Sequence, residues 1–537
     1  MSFTLFGARR RRARMLGASL CAAAMAGLLS GSLVTPTAAA RVHIDFETVT
    51  ISRLDHLLAD GEITSQKLAA DYVKRIKQVN TDGPGLRAVQ SIDPTWRAQA
   101  KAADRRRRAG HSRGPLDGIP VIVKDNIDVK GMPTTAGSLA LADNVAGRDA
   151  TLTTNLRRAG AVIIAKATLV EFAFWDGKGS WGYSSLGGQP LNPYDASYTT
   201  SGSSAGPGIA AAAGLAAITF GTDTGGSVVT PAEKMSLVGY RPTTGLISRT
   251  GIVPITTFSD TPGVMGRTVR DVAVGATAVA GVDPSDPATT ASTPYQGADY
   301  ARILSKASLH GKRIGVVSPS GLTDDQKPLW NAAAAALSQQ GATVVPVEVK
   351  ATNFPFTATT YEFRRNLDQY LQDRTPARFP IKNVHQLADF YRADPEDTQK
   401  YGASTLFNAE KVDLGADKKA HDDDLQTAQT DVRATIEGLI AADHLDAFLF
   451  AEPSTVQFEA AIGSYPEVAV PAGYQASDRH PFGIVFMGKK WDDAALLSYA
   501  YDYEQATKLR QTPSAINPTM WRCVGRHPSS RSRICLP

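Results

Sequence analysis

Residues 199–243 have the sequence TTSGSSAGPGIAAAAGLAAITFGTDTGGSVVTPAEKMSLVGYRPT, which contains two loops of small residues. The first loop is SGSSAG at 201–206, and the second is DTGGS at 223–227. An alanine-rich helix that begins near 209 and a short apolar strand at 217–220 separate the two loops. One helix and one strand bring the chain back towards its starting point, so this stretch predicts that the two serine-containing loops are neighbours in the fold.

Short β-branched strands alternate with helices along most of the remaining chain. Such alternation is typical of an α/β fold with a largely parallel sheet. No linker rich enough to separate two domains interrupts it, and the polar helical stretch 351–440 is expected to cover one face. We therefore expect a single large α/β domain with a mostly parallel mixed β-sheet core covered by helices. The predicted strands are 119–123, 161–164, 217–220, 313–317, 343–347, 446–450, 467–470 and 483–486.

The second small-residue loop has the composition of a nucleophile loop. Gly225 and Gly226 leave backbone N–H groups unobstructed beside the Ser227 hydroxyl. Acyl transfer requires this combination, because it needs a nucleophile and hydrogen-bond donors for the oxyanion. The composition alone fits equally well with two tight turns that have no catalytic role.

A serine nucleophile also needs a base, and Lys124 is a candidate. It ends the apolar strand in GIPVIVKDN at 118–126. Burial there would lower the pKa of its amine, and serine hydroxyls could then relay a proton to it. The alternative is an ordinary solvated lysine at a strand end.

The segment GSSAG at 202–206 also matches the G-x-S-x-G nucleophile elbow of α/β-hydrolases, with Ser204 as the nucleophile. That elbow directly follows a strand, whereas the residues before this segment, NPYDA at 192–196, are typical of a turn. A serine esterase that uses Ser204 is therefore the alternative interpretation.

Composition, charge and missing motifs argue against several other classes of protein. The chain has 537 residues, is 43% hydrophobic and 20% charged, and has a net charge of +5, which does not suit a disordered chain or a coiled coil. Five arginines at 9–14 account for that excess, because the remaining chain has 52 basic and 52 acidic residues. We expect no nucleic-acid partner. The sequence contains no His-Glu-x-x-His, Walker or dinucleotide-binding motif, so neither a metal nor a cofactor is expected.

Further motifs run in order across about 49–510. With SGSSAG and GTDTGGS, they make the chain resemble the amidase signature family, and GGQPLNPYDASYTTSGSSAG at 187–206 resembles its peptide-amidase-like branch. These motifs are GPLDGIPVIVKDNIDVKGMPTTAGS at 114–138, PTTGLISRTGIVP at 242–254, DTPGVMGRTVRD at 260–271, YPEVAVPAGY at 465–474 and AYDYEQATK at 500–508.

The resemblance implies a Ser-cisSer-Lys triad. Ser227 would be the nucleophile, Ser203 the relay and Lys124 the base, with a cis peptide between Gly202 and Ser203. The backbone amides of Thr224, Gly225, Gly226 and Ser227 would form the oxyanion hole. The sequence departs from the common family pattern at Val229, where many members have Arg, and at EKMS in 233–236. These departures bear on the substrate more than on the triad.

The two ends of the chain differ from its body. A basic segment ending at Arg14, an Ala/Gly/Leu-rich core and the small residues AAA at 38–40 indicate an export signal over 1–40. The alternative, a membrane anchor, is disfavoured by Ser19, Ser30 and Ser32 within that core. Residues 41–512 would form the amidase domain. The Pro/Ser/Arg-rich stretch 513–537 would be a disordered tail, in which Cys523 and Cys535 could pair.

We therefore expect a secreted amidase that hydrolyses a carboxamide or amide bond through an acyl-Ser227 intermediate. Its substrate would be a small molecule or a peptide amide, and the protein would be a monomer or homodimer without a membrane anchor after signal cleavage. A catalytically silent binding protein with the same fold is the second alternative. Family members that act on charged tRNA work inside cells, and an export signal argues against that role.

Overall fold

Eleven strands form one sheet in a computed structural model that describes residues 42–173, 181–454 and 456–524. Their order across the sheet is β1-β3-β2-β4-β6-β5-β10-β11-β9-β7-β8. The strands are β1 Val89–Ile92, β2 Pro120–Lys124, β3 Val162–Ala167, β4 Ile218–Asp223, β5 Val238–Arg241, β6 Thr261–Gly266, β7 Arg313–Val317, β8 Thr343–Val347, β9 Ala447–Phe450, β10 Glu467–Tyr474 and β11 Pro481–Gly488.

Helices lie around this sheet, and the chain from Ile44 onward forms one compact unit. The helices are α1 Ile51–Ala59, α2 Ser65–Ile76, α3 Trp96–Arg108, α4 Thr151–Arg158, α5 Ala205–Ala212, α6 Val229–Lys234, α7 Val269–Val279, α8 Tyr300–Ile303, α9 Gln326–Gln339, α10 Phe356–Asp373, α11 Val384–Ala393, α12 Pro395–Thr398, α13 Ser404–Lys411, α14 Lys418–Asp443, α15 Val456–Gly463, α16 Asp493–Thr507, α17 Pro513–Ile516 and α18 Pro518–Trp521. None of the helices in the described part of the chain combines the length and the apolar character that a membrane-spanning segment needs.

The single α/β domain and its mixed sheet are confirmed, but the expectation of mostly parallel pairing needs correction. Four strand pairs are parallel and six are antiparallel. The parallel groups β3-β2-β4 and β9-β7-β8 flank a central antiparallel region. One cause is the connection between β10 and β11, which is too short for a helical crossover and therefore joins antiparallel neighbours.

The strands that carry the catalytic candidates are buried on both faces. Every residue of β2, β3 and β4 is buried, as expected for apolar strands that helices cover on either side. Parallel pairing aligns β2 with β4, with Val123 opposite Phe220. The carboxyl ends of both strands therefore lie at the same edge of the sheet.

The polar stretch 351–440 packs over one side of this edge, as the sequence predicts. Helices α10, α11 and α13 share an apolar cluster that includes Phe363, Leu367 and Leu387. Phe172, Val253 and other residues near the strand ends belong to the same cluster. Buried apolar contacts thus join the stretch 351–440 to the residues near these strand ends.

The expected boundary at 512 needs correction as well. Helices α17 and α18 continue the fold past Thr512, and Met520 and Trp521 are only 7% and 6% exposed. Trp521 Nε1 donates to Pro193 O at 3.0 Å, and the Arg75 guanidinium lies 5.6 Å from the indole centroid. Cys523 takes part in a disulfide. Residues 1–41 and 525–537, on which the export signal and the rest of the tail fall, lie outside the described residues.

Trp521→Ala is expected to destabilise the fold by about 3–5 kcal/mol, because it removes a buried aromatic side chain and its hydrogen bond. Truncation after Thr512 should cost at least as much. Urea unfolding of purified protein measures the loss of free energy. Trp181→Ala is the matched control, since Trp181 is 53% exposed and its loss should cost little. A loss for Trp521→Ala as small as the loss expected for the control would show that the docking of Trp521 does not stabilise the fold.

Candidate active site

The carboxyl ends of β2 and β4 place Lys124 beside the first serine loop. Lys124 is fully buried, and its Nζ lies 2.7 Å from Ser203 Oγ and 3.1 Å from Ser204 Oγ. The same amine lies 2.8 Å from Thr222 Oγ1 and 3.3 Å from Thr222 O. Lys124 is therefore not the solvated strand-end lysine that the sequence left open.

Burial determines the protonation of this amine. Desolvation lowers the pKa of Lys124 to about 7, against the opposing attraction of Asp223 and Asp260. A large fraction of the amine is therefore neutral near neutral pH. Only that form has a lone pair with which to accept a proton.

The neighbours of Lys124 determine which way that lone pair points. Ser204 Oγ donates its hydrogen to Thr222 O at 3.0 Å, so towards Lys124 it can only accept. Thr222 Oγ1 accepts the second N–H of Lys124. The protonated amine donates to Ser203, Ser204 and Thr222, and when it loses the hydrogen that it shares with Ser203, the lone pair that remains faces that hydroxyl.

These contacts also distinguish the two serines of the first loop. Ser204 is fully buried and its hydroxyl is engaged by Lys124 and Thr222, which argues against Ser204 as an esterase nucleophile. Ser203 is 3% exposed, and the peptide bond that precedes it is cis, as the family resemblance implies. Val170 N donates to Ser203 O at 3.1 Å and helps to hold this turn.

Hydrogen bonds join the first loop to the second. Ser204 N donates to Ser227 O at 3.1 Å, and Ser201 Oγ bonds Thr230 Oγ1 at 3.0 Å. Thr230 Oγ1 also lies 3.2 Å from Gly202 O. Ser227 is half-buried and lies two residues before α6 begins. The two loops are therefore neighbours, as the spacing at 199–243 predicts.

The side chain of Asp223 fixes the backbone of the second serine loop, residues 223–227, which contains the candidate nucleophile. Its carboxylate accepts from Gly226 N at 2.8 Å and from Val228 N at 2.6 Å, so the backbone turns around it. Arg241 Nη1 lies 3.1 Å from Asp223 Oδ1, and both side chains are fully buried. A charge-assisted network of this kind gives the loop a defined conformation.

The expected role of Gly226 in the oxyanion hole needs correction, because its N–H already donates to Asp223. Gly226 has another role in the loop. Its φ is +100°, and a methyl group on its Cα would lie 2.3 Å from Gln457 Oε1. Glycine is favoured there because of this positive φ, whereas the Gln457 side chain could move to make room for a methyl group. The amides of Thr224, Gly225 and Ser227 remain the candidate oxyanion donors.

Sequence reasoning missed the supporting residues Thr222, Asn126, Asp223 and Arg241. Asn126 Nδ2 donates to Thr222 Oγ1 at 3.0 Å and so fixes the hydroxyl that holds Lys124. Two of these residues could have been found, since Asn126 lies two positions after Lys124 and Asp223 begins DTGGS. Arg241 carries no comparable local signal.

A cavity of about 470 Å³ reaches the residues that hold Lys124. Its lining includes Asn126, Thr222 and Thr224, together with residues of 249–262 and of α10. Asn126 Oδ1 is buried and has no hydrogen-bond partner within the described part of the chain. The site therefore has a partly open cavity, with both polar and apolar lining, next to the residues that hold the candidate base.

Comparison with known proteins agrees with this geometry. The chain matches the amidase family over residues 67–463. A probable amidase of Arabidopsis thaliana is 36% identical over 481 residues, which cover 88% of this chain and 92% of that protein. The crystal structure of the native peptide amidase from Stenotrophomonas maltophilia is 36% identical with a TM-score of 0.81, covering 87% of this chain and 99% of that one. The peptide amidase PAM in complex with the competitive inhibitor chymostatin has the same identity and coverage and a TM-score of 0.83.

The match covers most of the chain, includes both serine loops and the Lys124 strand, and extends to the fold of whole peptide amidases. The chain therefore belongs to the amidase signature family and is an amide hydrolase that acts on carbon–nitrogen bonds.

Proposed function

We propose that the protein is an exported amidase that hydrolyses a linear carboxamide through an acyl-Ser227 intermediate. The observation that carries this proposal is the 2.7 Å contact between Ser203 Oγ and the buried amine of Lys124. A neutral amine beside one serine, with a second serine on the adjoining loop, supplies a base, a relay and a nucleophile.

In the acylation step, Ser227 Oγ attacks the carbonyl carbon of the amide. Its proton passes to Ser203 Oγ while the Ser203 proton passes to the lone pair of Lys124. The oxyanion that forms accepts hydrogen bonds from the backbone amides of Thr224, Gly225 and Ser227. Collapse of the tetrahedral intermediate breaks the C–N bond, and Lys124 returns the proton through Ser203 to the departing nitrogen.

Deacylation repeats these transfers with water as the nucleophile. Water loses a proton towards Ser203 and Lys124, attacks the acyl carbon and releases the carboxylic acid. The proton then returns to Ser227 Oγ. No charge remains on Lys124 at the end of the cycle, so the amine is again ready to act as a base.

Peptide amides and small carboxamides are the proposed substrates. The likeness to peptide amidases, one of them bound to chymostatin, supports this class. The test is ammonia release by the purified mature protein from amino-acid amides, peptide amides, aryl amides and fatty amides. Hydrolysis of aryl esters without release of ammonia from any amide would favour the esterase alternative, and no turnover of either class would favour a silent binding protein.

Export is proposed from the N-terminal sequence. We expect secreted protein to begin at Arg41, because small residues occupy the positions before the cleavage site. N-terminal sequencing of secreted material measures this directly. Ala40→Glu, which places a charged residue at the cleavage site, is expected to leave the precursor uncleaved. Intact N-terminus on wild-type protein in the cytoplasm would contradict export.

A further inference from the structure

Four phenylalanines form an aromatic cluster beside the nucleophile loop. The ring centroids of Phe354 and Phe458 are 5.1 Å apart, those of Phe354 and Phe356 5.2 Å, and those of Phe258 and Phe354 6.4 Å. A methyl group on Gly225 Cα would lie 3.4 Å from the Phe458 ring and 3.8 Å from the Phe354 ring. The cluster therefore borders the backbone that would hold the oxyanion.

The cluster is held in place but is not sealed from solvent. Thr352 N donates to the buried carboxylate of Glu459 at 2.7 Å, which ties the segment before α10 to the helix that carries Phe458. Phe354 and Phe458 are half-buried, and Phe356 is 61% exposed. Exposed phenylalanine next to a reactive serine leaves apolar surface for another molecule to cover.

An unused hydrogen-bond acceptor lies next to this apolar surface. Gln457 Oε1 is beside Gly226, is buried, and has no hydrogen-bond partner among the described residues. A buried acceptor without a donor is costly, so a ligand that supplies an N–H there gains affinity. The side chains of Gln457 and Phe458 thus offer one polar and one apolar contact at adjacent glycines.

We propose that Phe354, Phe458 and Gln457 form the acyl subsite and select carboxamides that have an aromatic side chain and an acylamino N–H next to the scissile carbonyl. The aromatic side chain packs against Phe354 and Phe458, and the N–H donates to Gln457 Oε1. This proposal rests on the amidase function proposed above. It names N-acylated or peptide-linked aromatic amino-acid amides as the preferred substrates.

The proposed packing of an aromatic side chain against Phe354 and Phe458 is tested with N-acetylphenylalanine amide and N-acetylalanine amide. Wild type is expected to prefer the phenylalanine amide in kcat/KM, because its phenyl group covers apolar surface and makes ring contacts. Phe354→Ala and Phe458→Ala should each lower kcat/KM for the phenylalanine amide by about 10- to 100-fold. Turnover of the alanine amide should change by less than about threefold, since a methyl group reaches little of the cluster.

Phe390→Ala is the matched control, because Phe390 is 37% exposed on α11 and lies outside the cluster. This variant should leave kcat/KM unchanged for both amides. Equal losses for both amides in the Phe354 and Phe458 variants, or a wild-type enzyme without preference for the aromatic amide, would overturn the aromatic subsite. Failure of wild type to hydrolyse either amide would instead count against the amidase function.

The proposed hydrogen bond to Gln457 is tested by removing the N–H from the substrate. 3-Phenylpropanamide keeps the phenyl group and the scissile carboxamide of N-acetylphenylalanine amide but lacks the acylamino group. Wild type should favour the acylamino substrate by about tenfold, the value of one buried hydrogen bond. Gln457→Leu should remove that advantage while keeping turnover of 3-phenylpropanamide. If the ratio of kcat/KM between the two substrates is the same in the variant as in wild type, Gln457 does not bind the substrate N–H.

Discussion

Ser227→Ala is expected to lower kcat/KM for amide hydrolysis by at least about 10⁴-fold. The variant keeps the loop geometry, because the contacts of Asp223 with that loop are made to backbone amides. It loses the hydroxyl that we propose forms the acyl-enzyme, and removal of a nucleophile is among the costliest changes in enzymes that use one. The measurement is steady-state kinetics on the best substrate from the ammonia screen.

Ser204→Ala is the matched control for the nucleophile. Ser204 orients Lys124, and its loss leaves a buried N–H of Lys124 without its acceptor, so activity should fall by about 10- to 100-fold. A fluorophosphonate should label wild type and Ser204→Ala at residue 227 and should not label Ser227→Ala. Labelling of Ser204, or a larger loss from Ser204→Ala than from Ser227→Ala, would transfer the nucleophile role to the first loop.

Lys124 is expected to produce an acid limb near pH 7 in the pH profile of kcat/KM. Burial lowers the pKa of its amine to about 7, and the neutral form is the active one, so activity should rise with pH through that region. Lys124→Met should lose at least about 10²-fold in rate together with this limb. Lys124→Arg should be equally inactive, because a guanidinium stays protonated and cannot act as a base. Near-native activity of the arginine variant would rule out the proposed base.

Stability provides an independent check on the same amine. A lysine whose pKa falls from 10.5 to about 7 on folding leaves the native state with fewer protons than the unfolded state between those values. The contribution of Lys124 to stability is therefore least favourable below pH 7 and improves as pH rises towards 10.5. The melting temperature of Lys124→Met relative to wild type should be highest near pH 6 and fall by pH 9. A constant difference would mean that the pKa is not depressed.

Comparison of the predicted and observed strands shows which of them the local sequence pattern can predict. The predicted limits of β7 and β8 agree with the structure, because each is a compact β-branched run between turns. The pattern missed β1, β5 and β6, in which a smaller share of the residues is β-branched than in β7 and β8. It also missed that the centre of the sheet is antiparallel, since strand order depends on contacts between distant segments.

Residues 513–524 show a second limit of prediction from sequence composition. Composition at 513–524 resembles disorder, yet Met520 and Trp521 are buried against the body. Two four-residue helices are too short to show apolar periodicity. Their docking depends on partners such as Pro193 and Arg75, which are hundreds of residues away in sequence.

Local pattern and the spacing of motifs indicated the α/β class and the family, and the family resemblance implied Lys124, Ser203 and Ser227 as the triad. Tertiary structure decided what those groups can do. Lys124 meets Ser203, Ser204 and Thr222 across separations of 79, 80 and 98 residues, and only that packing buries its amine and lowers its pKa. The different roles of Ser203 and Ser204 have the same origin. Protonation and hydrogen-bond direction depend on solvent exclusion and on neighbours brought from distant parts of the chain, and a linear sequence does not contain that information in local form.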